Sequence, residues 1–131
     1  MEKISKRDRE QYSTKVKEEF PDTLQFGDRI FKKRQSMRYG ENPGYPAAFY
    51  VEAGASGPNM ASIEILQEGT KGLSYINVAD MDLGQRLAKK LTEIYKEKHI
   101  CVLVKHEIPS GVAMGDSPEE TFKKAWDCDS L

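Results

Sequence analysis

An ammonium and an imidazole stand side by side at Lys105 and His106, directly behind the apolar run Ile100-Cys101-Val102-Leu103-Val104. An imidazole exchanges a proton near neutral pH, and an adjacent ammonium binds an anion or steadies a developing negative charge. The same letters also fit a solvated lysine beside a histidine bonded to loop backbone, and position alone does not separate the two. Arg38-Tyr39 opens a second candidate, the stretch Met37 to Pro46, which holds two Gly and two Pro and is expected to be an irregular loop. A guanidinium grips phosphate or carboxylate with parallel N–H donors, and a neighbouring phenol adds another. A surface arginine next to a half-buried tyrosine is the alternative. Asn77 is the third candidate. It stands three residues before Asp80, a spacing that favours an N-terminal helix cap over an amide presented to a ligand.

These residues need elements to position them. Leu83, Leu87, Leu91 and Tyr95 recur at four-residue steps, with Ala88 and Ile94 beside them. That predicts an amphipathic helix of about five turns from near Asp80 to Lys98. Ile100 to Val104 is too short for an independent helix and predicts a strand buried on both faces. Lys105 to Gly111 then reads as a loop, at the carboxyl end of a strand where open α/β sheets bind ligands. Ser117-Pro118-Glu119-Glu120 predicts a helix start, with Phe122, Ala125 and Trp126 as its apolar face. Upstream, Leu24, Phe26, Ile30 and Phe31 flank Gly27-Asp28 as a hairpin would. Phe49-Tyr50-Val51 predicts a strand, and Ala61, Ile63 and Ile65 alternate like another. Residues 2–19 are rich in Lys, Arg and Glu, and fit a surface helix through Tyr12, Val16 and Phe20 or a frayed leader, ending at Pro21.

The order of elements gives an α/β class. A strand buried on both faces needs neighbours on both edges, and few strands are offered here. Either the sheet is small or, as expected here, it is completed by another chain or by oligomerisation, with Phe122 and Trp126 available for an interface.

Composition excludes several functions. A formal net charge of −1 over 131 residues gives no field for nucleic acid or an anionic membrane. No apolar run approaches the ~20 residues that span a bilayer. Two isolated cysteines and two histidines make neither a zinc site nor a disulfide framework, and fit a reducing cytoplasm. No glycine-rich nucleotide loop is present, and the H-x-E with P-C-x-x-C pattern of zinc deaminases is missing too.

Three blocks together carry a resemblance. Arg38-Tyr39-Gly40-Glu41-Asn42-Pro43 followed by Ala47-Ala48-Phe49-Tyr50 resembles the start of the AICAR transformylase domain of the bifunctional purine-biosynthesis enzymes. So does Leu73-Ser74-Tyr75-Ile76-Asn77-Val78-Ala79-Asp80 before a long helix. So does Val104-Lys105-His106 with Pro109-x-Gly111-Val112-Ala113 and Gly115-Asp116-Ser117. The resemblance implies a partial, cytidine-deaminase-like layered α/β unit without zinc, over residues 23–131, behind a charged leader at 1–22. It implies formyl transfer from N10-formyltetrahydrofolate, as co-substrate, to AICAR ribonucleotide. Lys105 and His106 would be catalytic; Arg38, Tyr39, Asn77 and Gly111 would bind substrate, and no metal would take part.

Two departures bear on this expectation. Glu107-Ile108 and Gly44-Tyr45 stand where the family has other residues, and Glu107 sets a negative charge beside the Lys105-His106 pair. The chain also stops where the family continues into its next core strand and its folate pocket. The expectation is a subunit or fragment, inactive alone, completed by a homodimer mate or a complementary polypeptide. A non-catalytic module that binds purine intermediates is the alternative.

Overall fold

A computed structural model describes residues 20–129. The helix or leader expected over 2–19 lies outside the described residues. The chain forms two compact units, Met1–Ile76 and Asn77–Leu131.

In the first unit β1 (Thr23–Phe26), β2 (Arg29–Ser36) and β3 (Ala48–Glu52) form an antiparallel sheet in that order. The expected hairpin is present. Phe26 pairs with Arg29 across Gly27-Asp28, and Gly27 takes a φ of 63°, which glycine adopts without steric cost. The β2–β3 register slips between Lys33 and Gln35 and leaves Arg34 outside the ladder. Its guanidinium lies over the Phe49 ring and donates to the carbonyls of Met60 and Ile63, at 3.2 and 2.6 Å. This corrects the strand expected over Ala61 to Ile65. Those residues do alternate between half-buried and exposed, but they join no ladder. A side chain, and not a neighbouring strand, satisfies the carbonyls.

In the second unit β4 (His99–Lys105) and β5 (Ile108–Gly115) form an antiparallel hairpin. The expected strand exists, but it is not buried on both faces. Its five apolar residues are all half-buried, and among the described residues β5 is its only partner. The expected loop is also corrected: Ile108 to Gly111 already belong to β5. His106 and Glu107 alone make the turn, with φ of 54° and 59°, the positive values that a two-residue type I′ hairpin requires.

Helix α1 (Tyr75–Ile94) begins five residues before Asp80 and stops four short of Lys98. Asn77 is thus inside its first turn, so the expected cap at Asn77 is also corrected. Leu83, Leu87 and Leu91 form a half-buried face, as their spacing predicts, yet none of the helix's residues is fully buried.

Helix α2 (Pro118–Asp127) starts as expected. The Ser117 side chain accepts from the Glu120 N–H at 3.2 Å, and Pro118 occupies the first helical position, where no donor is missed. Its buried residues are Thr121 and Ala125, one turn apart, whereas Phe122 and Trp126 are 51% and 59% exposed. Only Ala125 of the predicted apolar face is therefore inside. Gly111 explains why α2 fits so closely: a Cβ there would stand 2.0 Å from the Ala125 carbonyl oxygen.

Candidate functional site

The Arg38 loop is tied down on both sides by backbone. Met37 N–H donates to Ala47 at 2.9 Å, and Gly40 N–H to Tyr45 at 2.7 Å, which closes the Gly/Pro loop on itself. On the other side Arg38 N–H donates to Leu73 at 2.7 Å, and Tyr75 N–H donates to Tyr39 at 3.0 Å. Two sequence blocks more than thirty residues apart thus lie side by side. The apolar interior of this unit is built there, from Met37, Tyr39 and Leu73, with Ser74 buried among the polar residues.

Arg38 is half-buried at this seam. Its guanidinium lies 4.7 Å from the centre of the Tyr39 ring, and one terminal nitrogen donates to the Tyr39 hydroxyl at 3.0 Å. Its Nε is buried and has no hydrogen-bond partner. An unpaired charged donor in such a place is costly, and an anion accepting from Nε removes the cost. This is a surface arginine beside a half-buried tyrosine in neither respect, because Tyr39 is core and Arg38 is drawn in with it.

Lys105 and His106 have the opposite setting. They occupy the tip of the β4–β5 hairpin with Glu107, and all three are exposed. Next to them the register slips between Leu103 and Val104, so that Ser110 bulges and Pro109, which has no N–H, sits where the ladder is already interrupted. Lys105 borders a cavity of about 520 Å³ lined also by Val102, Leu103, Ser110, Ala125 and Trp126. The Glu107 N–H donates to the Asp80 carboxylate at 2.6 Å. Asn77 is half-buried one turn before Asp80, on the same side of α1. Gly111 lies one bulge away in β5, buried against α2.

The structure therefore gathers the sequence candidates in two groups. Arg38 and Tyr39 belong to the first unit; Asn77, Lys105, His106 and Gly111 belong to the second. Sequence reasoning missed Asp80 as the anchor of the turn, having cast it as a capping partner. It also missed the Leu73-Ser74-Tyr75 backbone as the far wall of the Arg38 loop. Nothing in the letters signals either, since both are contacts across long stretches of chain. Gly111 reads as the end of a loop in the sequence, and the meaning of a strand glycine, a close backbone approach, applies to it only once β5 is known. Among the described residues, no cluster of three or more His, Cys, Asp or Glu is placed to hold a metal ion. No described helix is long and apolar enough to cross a membrane.

The profile of the AICARFT/IMPCHase bienzyme family matches residues 4–131, nearly the whole chain. This chain belongs to that family. Among its curated relatives, the bifunctional purine biosynthesis protein PurH of Clostridium acetobutylicum is 38% identical over 114 residues, covering 87% of this chain and 21% of the relative. The protein of the same name from Clostridium botulinum is 36% identical over 116 residues, covering 88% and 21%. That from Clostridium kluyveri is 35% identical over 114 residues, covering 87% and 21%. The chain spans about a fifth of the length of these AICARFT/IMPCHase relatives.

Proposed function

We propose that this chain is one part of a formyltransferase that moves a formyl group from N10-formyltetrahydrofolate to AICAR ribonucleotide on the way to IMP. In this reading residues 23–131 are the N-terminal portion of a transformylase domain, and a second copy or a complementary polypeptide supplies the rest. It acts in the cytoplasm, without a metal. The observation that carries the reading is the Arg38 seam: a half-buried guanidinium with an unpartnered Nε, held against the Leu73-Ser74-Tyr75 backbone in a member of this family.

The roles follow from the chemistry. Arg38 and Tyr39 hold the phosphate, Asn77 holds the base or its carboxamide, and Gly111 brings backbone close. The arylamine is a weak nucleophile because its lone pair is delocalised, so it must be held in place and relieved of a proton. Neutral His106 takes that proton as the amine nitrogen bonds to the formyl carbon. The Lys105 ammonium stabilises the oxyanion that forms. When the bond from carbon to the folate nitrogen breaks, that nitrogen takes up a proton, and the charges balance.

Exposure of Lys105 and His106 favours incompleteness, since such chemistry needs water excluded from the reacting atoms. The purified chain is expected to show no formyl transfer. Adding the remaining portion of a relative's polypeptide is expected to restore it, and turnover by the chain alone would sink the claim of incompleteness. Calorimetry with AICAR ribonucleotide is expected to show binding that Arg38→Ala abolishes. The alternative, a non-catalytic module binding the same nucleotide, rests on the Arg38 seam being formed within one unit. It predicts binding by the chain and no turnover even after complementation.

A further inference from the structure

We propose that Asp80 is a positioning residue for Lys105 and His106, holding their hairpin turn in a conformation that its own side chains disfavour. This rests on the formyltransferase reading for its catalytic meaning, but not for its geometry. Lys105 pairs with Ile108, so His106 and Glu107 form the whole loop, and both adopt positive φ. Two-residue turns of this kind favour Asn-Gly or Gly-Gly, because a Cβ crowds the backbone in the left-handed region. A His-Glu turn therefore needs support from outside.

The hairpin itself supplies little. The bulge at Ser110 and the missing N–H of Pro109 weaken the ladder just below the tip. The usual cross-turn bond of such a loop runs from the residue after it to the residue before it, and leaves the N–H of the second loop residue unused. That is the group Asp80 captures, at 2.6 Å, across 27 residues of chain. The same helix face also comes close to β4 one turn on, where a Cβ at Gly84 would lie 3.3 Å from a Val104 methyl. Helix α1 thus meets β4 at Val104 and the turn at Glu107, on either side of Lys105 and His106. Asp80 acts on the backbone that carries the pair and need not touch substrate.

Amide hydrogen exchange of the full chain, followed by NMR, tests this. In Asp80→Ala the Glu107 amide is expected to exchange faster by roughly tenfold, the loss of one charge-assisted hydrogen bond. The amides of β5 beyond Gly111 should keep their rates. Asp80→Asn, whose side-chain oxygen still accepts, is expected to retain most of the protection. Glu107→Gly in the Asp80→Ala background is expected to restore the turn, since glycine holds positive φ unaided. Unchanged Glu107 exchange in Asp80→Ala overturns the proposal, as does equal loss in Asp80→Asn and Asp80→Ala. Should Asp80→Ala not fold, the comparison of Asp80→Asn with wild type decides: protection kept supports the anchor and protection lost overturns it. With complemented protein, Asp80→Ala should lower kcat and leave the KM for AICAR ribonucleotide unchanged. Absence of turnover in every complemented version, wild type included, sinks the formyltransferase reading and leaves the exchange result to decide the anchor alone.

Discussion

Around Arg38 the candidate ligands are also the core: Tyr39 and its neighbour Met37 are buried, and the backbone of both Arg38 and Tyr39 is bonded to the Leu73–Tyr75 stretch. In the second unit Lys105 and His106 are exposed and rest on a strained turn, while the buried residues among those described there are Gly111, Gly115, Thr121 and Ala125. The first region ties its candidate binding residues to folding. The second separates them, so chemistry at its tip can change without loss of the unit. The two regions should therefore respond differently to substitution, and the difference can be measured.

Tyr39→Ala is the largest test. Removing a buried ring costs about 3–5 kcal/mol, and here it also strips the guanidinium of Arg38 of its stacking and hydroxyl partner. The first unit is expected to lose its cooperative urea transition, with exchange protection of β4 and β5 intact. Tyr39→Phe, which keeps the ring, should lose only about 1 kcal/mol. Equal melting of both units would show that they are not separable in this way. Gly111→Ala is the matching break in the second unit. A methyl there meets a backbone carbonyl that cannot rotate away, and overpacking of this kind costs roughly 3 kcal/mol. Loss of the α2 signals with β2 and β3 unaffected is expected, and a stability equal to wild type would refute the close approach.

Much of this architecture is readable from local chemistry. Ser117-Pro118-Glu119-Glu120 announces α2 because a cap, a missing donor and acidic first-turn residues all act within four residues. Gly27 announces the β1–β2 turn for the same local reason. The His106-Glu107 turn is hidden because neither letter favours positive φ, so the strand past it reads as loop. The segment after Asn59 misleads in the other direction: its alternation is real, but the Arg34 guanidinium takes the carbonyls a strand partner would have used. The candidate site shows the same division. The letters identify Arg38, Lys105 and His106 as capable of chemistry, and only the fold shows that one is drawn into a core and two stand on a strained tip.

Glu107→Gly sharpens the contrast from the other side, because it should stabilise. Glycine relieves the left-handed strain at a φ of 59° while its N–H still reaches Asp80. The second unit is expected to gain about 1 kcal/mol, read as a higher urea midpoint with unchanged slope. No comparable gain is available at Arg38 or Tyr39, whose φ values are negative. A lower midpoint for Glu107→Gly would mean that the carboxylate side chain, and not the backbone, stabilises the turn.

The smallest effect compares one surface ion pair from each unit. In the first, Arg29 holds the Glu52 carboxylate below its ordinary value of 4.5, chiefly by a side-chain hydrogen bond. In the second, Lys98 holds Asp116 below its ordinary 3.8 in the same way, across 18 residues. Each carboxylate titrates lower in the folded chain than in the unfolded one. Its contribution is therefore complete above the ordinary value and is lost as pH falls from there through the lowered folded value. The windows open near pH 4.5 for Glu52 and near pH 3.8 for Asp116, so acid should loosen the first unit slightly before the second. Both pairs are solvent-exposed, and salt at about 0.5 M should flatten both slopes. Glu52→Gln should remove the earlier loss and Asp116→Asn the later one, followed by urea midpoints between pH 6 and pH 3 with unit-specific exchange reporters. If Glu52→Gln flattened the slope of the second unit, the two regions would be coupled through their surfaces, and the separation drawn from Tyr39 and Gly111 would fail.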